Sequence, residues 1–105
     1  MKTFMTAALL SNILDKDISK LKRKKSYINF KSKGVKDKIN IFELATLCRS
    51  WAIRKGFRIE SGIPERTTTW WCKLYNGPNS SILINNTFNE SEPEAVFKMA
   101  KLVEI

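Results

Sequence analysis

Over residues 39–56 the chain reads INIFELATLCRSWAIRKG, and Leu44, Leu47, Cys48, Trp51 and Ala52 fall at i, i+3, i+4, i+7 and i+8. That spacing lays one apolar stripe along an α-helix. The ends carry their own signals. Asn40 and Glu43 form a capping box, with Ile39 placed to staple onto Leu44. Arg54 and Lys55 sit in the last turn, where the helix dipole favours cations, and Gly56 supplies a left-handed stop.

Alternation replaces this period further on. Residues 57–60, Phe-Arg-Ile-Glu, alternate apolar and charged, as a half-buried strand does. Gly62-Ile63-Pro64 breaks the run. Residues 67–75, TTTWWCKLY, predict a second strand, with Trp70, Cys72 and Leu74 on one face and Trp71, Lys73 and Tyr75 on the other. Asn76-Gly77-Pro78-Asn79 marks a turn, and residues 81–88, SILINNTF, a third strand. A second capping box, Ser91 and Glu94 with Pro93 in the first turn, opens a helix over 92–103. It turns Val96, Phe97, Ala100 and Val103 inward.

The N-terminal part is less sharply patterned. Leu10, Leu14, Ile18 and Leu21 fit one helical stripe within 3–24, with Met5, Ala7 and Ile13 nearby. Asp15 and Asp17 allow a break, so the pattern permits one helix or two. Tyr27 to Lys31 has strand-favouring residues and fits a short edge strand blunted by lysine, or a flexible arm. Gly34 is a turn.

The expected fold is therefore α+β. A three-stranded antiparallel sheet with two helices on one face, in the order α-β-β-β-α, occupies residues 39–105, and a basic helical segment or arm occupies 1–38. Residues 39–105 are expected to fold alone. Trp71 and Tyr75 would stand on the open face of the sheet, unless the N-terminal helix folds back over them.

Charge sharpens this division. The chain has 19 Lys/Arg and 10 Asp/Glu, a net of +9. Residues 1–38 hold 11 and 3 of these, a net of +8, which leaves 8 and 7, a net of +1, for residues 39–105. A surface so biased gathers polyanions. Lys20, Lys22, Arg23, Lys24, Lys25, Lys31 and Lys33 are the candidate phosphate contacts, and Tyr27 and Phe30 the candidate stacking or packing residues. Trp71 and Tyr75 form a secondary candidate patch. The alternative for the basic stretch is a solvated surface that serves solubility.

Catalysis is not expected. The chain has no histidine, which removes the commonest general base and metal ligand. Glu60 and Glu65 face no second acidic pair. Cys48 lies on the apolar stripe, and Cys72 and Lys73 point to opposite faces of a strand. Two cysteines make no zinc site, and no cofactor or metal is expected. The start, MKTFMTAALL, is too short and broken an apolar run for a signal peptide, and no segment has transmembrane length. The expected place is the cytoplasm of a bacterial host. Membrane-surface binding by residues 3–25 is the lesser alternative.

The α-β-β-β-α order resembles the double-stranded-RNA-binding domain. That family opens its last helix with a basic cluster, whereas Ser91-Glu92-Pro93-Glu94-Ala95 is acidic here, so the resemblance implies the order of elements and not that family's grip on RNA. The chain also resembles small phage and prophage accessory proteins. It shares an E-L-A-x-x-C-x-x-W-A-x-x-K-G-F helix, here Glu43 to Phe57, and an E-P-E-A-[IV]-F-K-x-A helix, here Glu92 to Ala100. The likeness covers about two thirds of the chain. Such proteins include anti-CRISPR inhibitors, similar in size and skewed charge. The resemblance implies a non-enzymatic inhibitor that binds a host RNA-guided nuclease or its guide RNA. A stand-alone RNA- or DNA-binding regulator is the other expectation. The sequence leaves the oligomeric state open.

Overall fold

The structure, a computed structural model, describes residues 1–63, 68–77, 79 and 81–104. Thr6 caps α1 (Ala7–Leu14), its hydroxyl accepting from the Leu9 N–H. Asp15 ends the helix at a left-handed φ of 53°. The next three elements are strands: β1 (Ile18–Arg23), β2 (Tyr27–Ser32) and β3 (Val35–Asn40), paired antiparallel in the order β1-β2-β3. Ser32 pairs with Val35 across Lys33 and Gly34, whose φ values are 52° and 79°. Two positive φ angles in a two-residue loop fit the twist of a tight hairpin.

Asn40 closes β3 and caps α2 (Ile41–Arg54), accepting from the N–H groups of Phe42 and Glu43. Gly56, at φ 89°, lets the chain leave the helix. A second antiparallel sheet follows, β4 (Phe57–Gly62), β5 (Trp70–Asn76) and β6 (Leu83–Asn89), in the order β4-β5-β6. Ser91 caps α3 (Glu92–Val103) by accepting from the Glu94 N–H.

Helix α3 lies across all three strands of the second sheet and against α2. Helix α2 also touches β4 and β3, so it spans from one sheet to the other, while α1 packs on β1 and α2. One core results. Leu9 and Leu10 of α1, Ile28 and Phe30 of β2, Leu44, Cys48 and Trp51 of α2, and Phe97 and Met99 of α3 all belong to it.

The fold is α+β, with two three-stranded antiparallel sheets and three helices in place of the one sheet expected. The difference lies in the N-terminal third. Residues 3–24 are not a helix or a helix pair: the helix stops at Leu14 and a strand follows. The misleading signal has a physical source. Ser19 pairs with Lys31 and Lys22 with Asn29, so Lys20 and Leu21 stand against Phe30 alone. This β-bulge, with Lys20 at φ 54°, adds one residue to the strand. It places Ile18 and Leu21 three apart, a spacing that imitates a helix. Tyr27 to Lys31 is the central strand of this sheet, not an edge strand or an arm. The boundary expected at 38/39 falls inside β3. Pro64, Glu65, Thr67 and Pro78, named above for a break, an acidic pair, a strand start and a turn, lie outside the described residues.

Candidate polyanion-binding face

Strand β2 sorts its side chains by alternation. Ile28 and Phe30 are buried, while Tyr27, Asn29 and Lys31 point the other way and are half-buried by their neighbours. Cross-strand partners share a face. On β3, Lys38 stands opposite Asn29 and Lys36 opposite Lys31; on β1, Lys22 stands opposite Asn29. The outer face of the first sheet thus carries Lys22, Lys31, Lys36 and Lys38 around Asn29. The Lys38 ammonium lies 5.2 Å from the centre of the Tyr27 ring, close enough for a cation–π contact. A shallow depression of about 280 Å³ lies among Lys20, Lys22, Asn29, Lys31 and Lys36, with Asp37 at its side.

Lys31 facing Lys36 is a like-charge cross-strand pair, which costs stability. Among the described residues none of these lysines is in an ion pair; the pairs are Arg23–Glu94, Arg49–Glu92 and Arg58–Glu60. Four ammonium groups therefore share one sheet face without a carboxylate bridging them. A phosphate chain laid across that face would supply the missing counter-charge.

Not every residue expected at the site belongs to it. Arg23 is 8% exposed. Its Nε donates to Glu94 at 2.9 Å, and its Nη1 donates to the carbonyls of Lys24 and Lys25. Arg23 is thus a buried structural cation, turned inward because alternation sets it opposite Ile28. Phe30, at 3% exposure, is core and not a contact residue. Lys20, at the bulge, and Lys25, between β1 and β2, are exposed; Lys24 is half-buried. Lys33 is exposed in the β2–β3 turn and borders a different hollow, with Asp15 and Asp17. Asn29, Lys36 and Lys38 join the site although the sequence pattern did not single them out. The Lys33-Gly34 hairpin was the usable signal, since a two-residue turn fixes which β3 residues share a face with Lys31.

Trp71 and Tyr75 share the outer face of the second sheet, opposite Phe88 and Arg58 respectively. Helix α1 does not cover them; it packs on β1 and α2. Both rings are half-buried under neighbouring cations instead. The Arg58 guanidinium lies 4.3 Å from the centre of Tyr75, and the Lys73 ammonium 5.1 Å from that of Trp71. Trp71 also lies over Gly62, where an added Cβ would meet its ring at 2.6 Å.

Cys48 and Cys72 are buried, and burial pushes both thiols from 9.0 up to about 12. Neither is a nucleophile at neutral pH. Among the described residues no three His, Cys, Asp or Glu side chains gather as a metal site would need, and no helix is long and apolar enough to cross a membrane. Comparison with protein-family models, with curated proteins and with solved structures finds no match to this chain.

Proposed function

We propose that this protein acts by binding and not by catalysis, and that it holds a nucleoprotein through the phosphates of its RNA. The specific reading is a phage-encoded inhibitor, working in the bacterial cytoplasm, that engages a host RNA-guided nuclease or its guide RNA. The observation that carries the binding reading is the unbridged set Lys22, Lys31, Lys36 and Lys38 around Asn29 on one sheet face. A fold gains nothing from opposing Lys31 and Lys36, so the arrangement fits a ligand that brings negative charge. Tyr27, on the same face, offers a ring to a base or to a protein surface. The charge on this face comes from lysines, which neutralise phosphates without carrying sequence information, so the reading proposed is of phosphate and not of sequence.

The phage assignment rests on the two helix motifs alone. Their residues Leu44, Ala45, Cys48, Trp51, Ala52, Ala95 and Phe97 are buried, so the motifs speak for packing, and the partner must be found by experiment. Tagged protein is used to capture material from bacterial lysate at low salt, and the captured RNA and protein are identified. Recovery of an RNA-guided nuclease with its guide supports the inhibitor. Recovery of no nucleoprotein overturns it. Binding of naked RNA or DNA with no protein partner, and with affinity falling steeply with salt, would assign the stand-alone regulator instead.

A further inference from the structure

The two sheets turn different chemistry outward. The first presents Lys22, Lys31, Lys36 and Lys38 with a single ring, Tyr27. The second presents rings. On β5, Trp71, Lys73 and Tyr75 alternate with the buried Cys72 and Leu74, and Phe88 of β6 is the cross-strand partner of Trp71. Phe88 is 60% exposed, so this face turns a phenylalanine to solvent beside the indole. On its other side Trp71 pairs with Gly62 of β4. The indole leans over that glycine, in the space that a side chain at 62 would take. Two cations lie among the rings. The Arg58 guanidinium sits against Tyr75 and is also paired with Glu60 at 3.0 Å. Glu60 stands opposite Lys73, yet the Lys73 ammonium is in no ion pair among the described residues and sits against Trp71.

From this contrast we infer that the outer face of the second sheet stacks the bases of single-stranded RNA on Trp71 and Phe88, with Lys73 neutralising an adjoining phosphate. The inference rests on the reading that the ligand is RNA, and it gives the two sheets different parts of that ligand. Rings interleaved with cations suit a single strand, because every base has a π-face and every nucleotide carries a charge. Trp71 and Phe88 stand directly opposite one another across β5 and β6, so two neighbouring bases each find a ring. The charge is complementary: Arg58 and Lys73 outnumber Glu60, and Lys73 has no carboxylate of its own to hold it. Lys73 against Trp71 brings a cation and a π-surface within reach of one nucleotide. Duplex RNA keeps its bases stacked on one another and offers none to these rings, so this site selects single strands. It does so without preference for sequence, since stacking tolerates every base.

The test uses the full chain with a labelled oligouridylate of about ten nucleotides, within the size range of a single-strand groove, and an RNA duplex as the second probe. F88A is expected to fold, since Phe88 is exposed. It should bind the single strand at least about fivefold more weakly, the low end of the loss for one base–aromatic stack. Its salt slope and its binding of the duplex should not change. F42A removes a phenylalanine that is 57% exposed on α2, away from this face, and is expected to bind as the wild type does. Oligouridylate should quench the tryptophan fluorescence of the wild type. In W71F, which keeps a ring, the quench should vanish while affinity changes less than in F88A. A wild type that binds no single strand overturns the inference, and so does an F88A chain that binds it unchanged, an equal weakening in F42A, or a quench that persists in W71F. If F88A loses a captured host protein while its RNA binding is intact, the face is a protein contact and the inference falls. The reading of the first sheet fails separately. If K22Q/K31Q/K36Q/K38Q keeps the wild-type salt slope while F88A weakens single-strand binding, the stacking site stands and the phosphate face does not.

Discussion

Arg23 of β1 and Glu94 of α3 are 71 positions apart, and their side chains meet at 2.9 Å in a buried ion pair. Glu94 also accepts from the Thr3 hydroxyl at 2.9 Å and from the Phe4 N–H at 2.8 Å. One carboxylate on α3 thus gathers the N-terminal segment and the first sheet onto the helix that covers the second. Burying two charges is costly, and partners on every side are what offset the cost. Removing one partner leaves the other charged and dry. Arg23→Met is expected to lower unfolding free energy by about 3 to 5 kcal/mol, read from urea denaturation. A loss below about 1 kcal/mol, the range of an exposed ion pair, would show that the pair is solvated and not a latch.

The same contacts bear on whether residues 39–105 fold alone. Cutting at 38/39 removes α1, β1, β2 and most of β3, and with them Leu9, Leu10, Ile13, Ile18, Ile28 and Phe30 from the core. It also leaves Glu94 without Arg23. A chain of residues 39–105 is therefore expected to lose cooperative thermal unfolding and to expose apolar surface. Calorimetry checks this. A sharp transition close to that of the full chain would mean that the second sheet, α2 and α3 need nothing from the first.

Legibility in the sequence followed the strength of local signals. Helix α3 was readable to the residue because Ser91, Pro93 and the Val96–Phe97–Ala100–Val103 stripe agree with one another. Helix α2 was readable for the same reason. β1 was not, because the bulge at Lys20 and Leu21 breaks the period of two that identifies a strand. The inward turn of Arg23 was hidden too. Its partner Glu94 is distant in sequence, and a run of Lys-Arg-Lys-Lys looks uniformly solvated until pairing with Ile28 assigns it a face. Lys36 and Lys38 appeared only as charge, since the site depends on β2–β3 register.

The two thiols supply a pH prediction. Burial raises both from 9.0 to about 12, so the folded state holds its thiol protons more tightly than the unfolded state. Their contribution to stability is complete below pH 9 and is lost as pH rises toward 12. The thermal midpoint is expected to fall over that window, and to fall less when Cys48 and Cys72 are both replaced by Ala, against that variant's own value at pH 8. At pH 8 a thiol reagent should label the native chain slowly and the urea-unfolded chain at once. Rapid labelling of the native chain would contradict the burial of both sulfurs.

The basic face gives the most direct functional prediction. Replacing Lys22, Lys31, Lys36 and Lys38 with Gln removes four cations while keeping long polar side chains. Stability should change little, because none of the four is ion-paired among the described residues and relief of the Lys31–Lys36 opposition offsets loss of the Lys38–Tyr27 contact. Binding to a labelled single-stranded RNA, followed by fluorescence anisotropy, should weaken. The slope of log affinity against log salt should also shrink, by about 0.7 for each phosphate no longer neutralised. Lys24 and Lys25, outside the paired face, serve as the comparison: replacing both with Gln should change the slope less than replacing Lys31 and Lys36. Arg23 is left out, because its removal would disturb the fold and mimic a loss of binding. Equal slopes for the wild type and the quadruple variant would mean that this face is solvated surface and that the RNA is held elsewhere, with the cation-flanked rings of Trp71 and Tyr75 the next place to test.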